Sequence, residues 1–167
     1  TTVPVTHATP AGFSVVSKTR SSQDKIAEIY SDLGFDVMLG GGRKYFDKDV
    51  RKDGKDMYQI FENKGYSIVK SRNEMIEAPK NKPILGTFDL DAIPYTIDHQ
   101  QNEISKKEIP TLAEMAQKAI NQMKDHQQGF VLQIEGGKVD WAAHANDISA
   151  LLFDQIAFDE TVKVVMD

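Results

Sequence analysis

Glu135, Asp140 and His144 put two carboxylates and an imidazole into one short run, Glu135-Gly136-Gly137-Lys138-Val139-Asp140-Trp141-Ala142-Ala143-His144. Oxygen and imidazole donors of this kind suit a zinc ion. If the chain is helical from 140 to 146, Asp140 and His144 share a face with Cβ atoms about 5–6 Å apart, close enough to grip one metal. The pair also reads as a carboxylate solvating a helix start and an ordinary polar histidine, and spacing alone does not choose. A second candidate run is Thr6-His7-Ala8-Thr9-Pro10-Ala11-Gly12. Pro10 suits a first helical position with Thr9 ahead of it, so the Thr9 hydroxyl is either a plain N-cap or a metal-binding oxygen. Arg20, placed by this reading at the end of that helix, would complement the helix dipole or hold an anion.

Other chemistry is less well supported. Gly40-Gly41-Gly42-Arg43-Lys44 lacks the Gly-Lys-Ser/Thr ending of a phosphate loop and reads as a structural turn. His99 and His126 sit in polar surroundings and are expected to face solvent. Ser14 and Ser17 have no histidine and acid pair that would mark either as a nucleophile. There are 0 cysteines, which removes thiolate metal sites, disulfides and cysteine nucleophiles together and leaves the redox compartment open. With 25 acidic against 20 scattered basic residues, a net charge of −5 offers no positive face for nucleic acid. No apolar run approaches the roughly 18 residues of a membrane span, and no signal peptide opens the chain.

The elements that would position these residues alternate between short apolar runs and segments of helical period, the pattern of an α/β layer structure with a largely parallel sheet. A helix through Ile26, Ile29, Tyr30 and Leu33 is expected to be capped by Ser21 and ended by Gly34. Val37 to Leu39, Tyr66 to Val69 and Ile84-Leu85 read as strands. Asp47 to Asp56 reads as a solvated loop, followed by a short helix with Met57, Ile60 and Phe61. Another short helix is expected over Asn73 to Ala78, and a long polar excursion from Asp89 to Glu108. The clearest helix carries Leu112, Met115, Ala116, Ala119, Ile120 and Met123 on one stripe. It leads into Phe130 to Ile134, expected as a strand inside the sheet with Glu135 at its carboxyl end, where α/β folds bind ligands.

Four ordered motifs then combine: Thr6 to Gly12, Val37 to Phe46, Pro110 to Met115, and Glu135 to Asp140 with His144-Ala145-Asn146. In this order they resemble alkaline phosphatases along the whole chain. The resemblance implies a partial three-layer α/β/α sandwich, and a single incomplete domain over residues 1–167. It implies an internal piece of a metal-dependent phosphate monoester hydrolase, an expectation that agrees with an opening at Thr1 and an ending inside the apolar run Leu151 to Met166. In that family two zinc ions and a magnesium ion surround a serine that is phosphorylated and then hydrolysed. Asp140 and His144 match two ligands of the first zinc, and Thr9 and Glu135 match ligands of the magnesium. Arg20 falls where the family keeps its phosphate-clasping arginine, with His7 and Trp141 at positions that vary among members and border phosphate.

The Asp-Ser-Ala nucleophile segment and the later zinc ligands of the family have no match in the chain. It is therefore expected to be inactive alone, to expose bare sheet edges, and to form a homodimer or larger assembly. The resemblance implies a periplasmic or secreted parent. A non-catalytic metal- or phosphate-binding domain, or a fragment of a related phosphodiesterase-type enzyme, is the alternative.

Overall fold

The computed structural model describes residues 1–167. Nine α-helices surround a three-stranded parallel sheet in the order β1 (Val37–Gly40), β3 (Ile84–Thr87), β2 (Ser67–Val69). Ile84 pairs with both Val37 and Ser67, so β3 is central, and all four of its residues are buried.

Side chains alternate across the pleat and so feed two cores. Met38 and Leu85, partners in register, face a cluster with Ile26, Tyr30, Phe46, Met57, Tyr58 and Phe61. This layer is supplied by α1 (Ala8–Ser14), α2 (Gln23–Leu33) and α3 (Met57–Asn63). Leu39, Val69 and Ile84 face the opposite cluster, with Met75, Leu112 and Met115 from α4 (Arg72–Glu77) and α7 (Leu112–Met123). The two faces make the partial three-layer α/β/α arrangement expected from the sequence.

Local chemistry sets most boundaries. Gly34 ends α2 in the left-handed region, φ 71°, as expected, while the N-cap is Ser22 rather than Ser21. Helix α7 opens on a capping box in which Thr111 and Glu114 satisfy each other's backbone donors. The polar stretch 89–108 carries two short helices, α5 (Thr96–Gln101) and α6 (Glu103–Glu108), nucleated where the Asn102 side chain accepts from Ile104 and Ser105. His99, expected in solvent, is half-buried there with Nδ1 2.8 Å from Ser105 Oγ, and burial lowers its pKa. His126 is exposed as expected.

Loop 47–56 is solvated as expected, except at Arg51. The Arg51 side chain is fully buried and pairs with Asp53 at 2.6 Å and Glu28 at 3.3 Å. Three carboxylates from two segments, counting Asp24 at 3.7 Å, converge on it and compensate its charge.

The expected strand at Phe130 to Ile134 does not form. A strand needs a ladder partner, and the outer side of β1 is met instead by Thr1 to Val5, with a parallel bridge between Pro4 and Gly41. The nearest main-chain tie is Thr2 N–H to the Glu135 carbonyl at 3.3 Å, and Val131 is 98% exposed. A cleft of about 330 Å³ lies between Val37 to Leu39 on one side and Val131 to Gln133 on the other.

The chain then enters α8 (Gly137–Ala145) and α9 (Ile148–Met166). Helix α9 buries Ala150, Asp154 and Thr161 but leaves Ile148, Leu152, Ile156 and Val165 exposed. No helix is long and apolar enough to cross a membrane.

Candidate functional site

The α8 helix confirms the geometry that the Asp140 and His144 spacing requires. His144 Nε2 lies 3.5 Å from Asp140 Oδ1, one turn apart, with side chains 81% and 71% exposed. A carboxylate and an imidazole open to solvent on one face fit half of a tetrahedral zinc shell. No three His, Asp or Glu side chains gather closely enough to complete one.

Trp141, next along α8, reaches toward the chain's other candidate run. Its ring meets that of His7 edge-on, centroids 5.5 Å apart and planes at 71°. His7 Nε2 in turn lies 3.2 Å from Arg20 Nη2. An arginine can only donate, so this contact requires a neutral imidazole with its proton on Nδ1. Burial and the Arg20 cation lower the His7 pKa in agreement, against the opposing pull of Glu135, Asp91 and Asp140. Arg20 itself is exposed, and its guanidinium is held from one side only.

His7, not Thr9, is the N-cap of α1, whose helix begins at Ala8. Thr9 is therefore inside the first turn and exposed, where its hydroxyl is not used as a cap. Helix α1 ends at Ser14, so Arg20 sits in the following turn rather than at the helix end. The Ser14 hydroxyl bonds back to the Pro10 carbonyl at 2.6 Å, and Ser17 donates to the Thr19 carbonyl, so neither faces a base.

Glu135 is half-buried and accepts from the Thr1 hydroxyl at 2.6 Å. The hydrogen bonds that fix it do not involve Thr9, so the proposed magnesium pair is not joined as the zinc pair is. Of the five side chains that the resemblance assigns to metals and phosphate, Asp140 and His144 meet directly. Arg20 is linked to α8 through His7 and Trp141. Glu135 reaches His7 through its field, and the Thr9 hydroxyl makes no hydrogen bond to any of the other four.

The glycine run after β1 is structural, as its spacing suggests. Gly42 adopts φ 98°, and its amide is taken by the Asp91 and Asp89 carbonyls at 2.6 and 3.1 Å. A Cβ at Gly41 would fall 2.0 Å from the Asp91 carbonyl oxygen. The Gly42 and Arg43 amides hold the 89–91 loop and the Gly41 amide donates to the Val3 carbonyl, so none is free for an anion.

One group escaped the sequence reading. Lys138, in the first turn of α8, is 7% exposed, with Nζ 3.6 Å from the Tyr95 ring centroid and 5.0 Å from that of Trp141. Burial lowers its pKa, opposed by Asp154, Asp91, Asp98 and Asp89. The only sequence signal was a lysine between Gly137 and Val139, too weak to separate a clamped cation from a surface one.

The α/β layer thus collects a cation, an imidazole, a carboxylate and an indole at one end. The alkaline phosphatase family profile matches residues 1–167, and the chain belongs to that family. It is 35% identical to alkaline phosphatase 3 of Bacillus subtilis strain 168 over 98% of this chain and 34% of the relative. With the repressible alkaline phosphatase of Saccharomyces cerevisiae it shares 31% identity over 99% of this chain and 33% of the other. Among solved structures, the alkaline phosphatase of Thermus thermophilus superposes with TM-score 0.91 at 41% identity, covering 98% of this chain and 34% of that one. A TAB5 alkaline phosphatase variant, described with Mg bound in its M3 site, matches at TM-score 0.81 and 25% identity. The chain thus spans about a third of the length of the curated relatives it matches.

Proposed function

We propose that this chain is one incomplete domain, the middle portion of the catalytic domain of a zinc- and magnesium-dependent phosphate monoester hydrolase. The observation that carries this reading is the contact chain Arg20, His7, Trp141, with Asp140 and His144 on the same helix as the indole. Arg20 would clasp a phosphate through two of its planar donors, a geometry that matches phosphate oxygens. His7, neutral and accepting from Arg20, would orient that fork. Asp140 and His144 would supply two zinc ligands, while Thr9 and Glu135 would serve magnesium, as the TAB5 variant's magnesium makes reasonable for the family. A bound zinc supplies Lewis-acid stabilisation of charge on oxygen. A periplasmic or secreted setting is part of the same reading.

Metal binding tests it. Zinc titrated into the chain against a chromophoric chelator is expected to bind weakly at one site. D140N and H144Q are each expected to weaken it by roughly tenfold or more, because each removes one of two donors. Unchanged zinc affinity in both variants would reject the assignment.

We also infer that the chain self-associates, forming a homodimer or larger assembly. What supports this is the apolar outer face of α9 together with the exposed, unpaired stretch at Phe130-Val131. Faces of that kind are usually covered. Light scattering behind size exclusion is expected to give at least twice the monomer mass of 18.7 kDa, and a monodisperse monomer would contradict it.

A further inference from the structure

The Lys138 ammonium is buried without a salt bridge. Its carboxylate neighbours Asp154, Asp91, Asp98 and Asp89 act on it only at a distance. It also lies in the first turn of α8, where the helix dipole disfavours a cation. A buried charge in an unfavourable field needs compensation close at hand. The two ring faces at 3.6 and 5.0 Å provide it, since both lie within the range of a cation–π contact.

These rings belong to different parts of the fold. Tyr95 is the N-cap residue of α5, at the end of the loop anchored by Gly42, and Trp141 is one turn beyond Lys138 on α8. Trp141 then abuts His7, and His7 contacts Arg20.

We propose that Lys138 is a positioning residue whose ammonium, held between Tyr95 and Trp141, fixes the indole in the orientation that supports His7 and, through it, Arg20. The lysine does not touch the anion position. It acts by tying the 89–95 loop to α8 and presenting one face of Trp141, leaving the indole edge-on to His7. The functional meaning of this relay rests on Arg20 being the phosphate-clasping cation. The clamp itself is measurable without ligand, so the two can fail separately.

The chain has 1 tryptophan, so Trp141 reports alone. Acrylamide quenching of its fluorescence is expected to increase about threefold in K138M, which keeps the apolar stem and removes the charge. K138R, which retains a cation able to lie over both rings, is expected to stay near wild type. A double-mutant cycle supplies the positional readout. H7A should shift the Trp141 indole N–H resonance in the wild-type and K138R backgrounds and leave it nearly unmoved in K138M.

A lysine that merely fills space would give the same Trp141 accessibility in K138M as in wild type, and that result would overturn the proposal. So would a K138R that behaves as K138M, or an H7A shift that survives K138M intact. Should K138M fail to fold by far-UV circular dichroism, Y95L removes the other ring from the loop side. It is expected to raise Trp141 quenching by about twofold. No rise in a folded Y95L would overturn the proposal equally.

Discussion

Between pH 10 and 12 the chain is expected to lose about 2–3 kcal/mol of folding stability through Tyr58 alone. The Tyr58 phenol is 6% exposed, stacks on Phe46 at 6.0 Å, and shares a 2.5 Å hydrogen bond with the buried Thr87 hydroxyl. Burial pushes its pKa from 10.0 up to about 12, with the Thr87 bond and the Arg43 cation pulling the other way. The neutral phenol is the form that the native state holds. Below the unfolded pKa both states are neutral and the whole contribution is present. Above it the unfolded chain ionises while the native chain cannot, so stability falls until the native pKa is also passed.

Burial raises the pKa of Tyr30 and Tyr66 in the same direction. Urea unfolding of wild type and Y58F as a function of pH isolates the Tyr58 share. Y58F should be less stable at neutral pH by about 1–3 kcal/mol, because Thr87 loses its partner. The deficit should shrink or vanish by pH 12. Parallel profiles across that interval would show that Tyr58 does not set the alkaline limit.

The elements read correctly from sequence were those in which local chemistry and burial agree. Val37 to Leu39 and Ile84-Leu85 are short apolar runs that alternate between two cores. Helix α7 has both a capping box and a single apolar stripe. Phe130 to Ile134 is equally apolar, yet it makes no ladder, because strand formation depends on a neighbour that local sequence cannot supply. Arg51 and Lys138 were illegible for a related reason. Each is a lysine or arginine in a polar-looking stretch, and its burial is decided by groups distant in sequence, Asp24 and Glu28 for one, Tyr95 for the other.

The site divided in the same way. Asp140 and His144 were readable because four residues along one helix fix their geometry. The Arg20 to His7 contact spans 13 residues and a helix end. The family resemblance gave each residue a role near phosphate, but neither it nor the spacing gave their contact. Thr9 was misplaced by two residues, since the helix is already entered at its N-cap His7.

With zinc and magnesium supplied, the purified chain is expected to hydrolyse p-nitrophenyl phosphate at least about 10⁴-fold more slowly than a whole family member, because cooperating catalytic groups act as a unit. A phosphate drawn to Arg20 would meet no activated oxygen. Ser14 spends its proton on the Pro10 carbonyl, Ser17 on that of Thr19, and no histidine stands beside either. His7 is engaged with Arg20, and burial together with that cation holds its pKa down, which favours an acceptor already in use over a free base. Asp140 and His144 bring two donors where a closed or catalytic zinc site has at least three from protein. Electrostatic attraction for the substrate would persist, so weak competitive binding of inorganic phosphate without turnover is the matching observation. R20A should abolish that binding while leaving the melting temperature within about 1–2 °C, since an exposed surface side chain contributes little to stability. A rate within about tenfold of a whole relative would mean that some hydroxyl or water in this chain is activated after all.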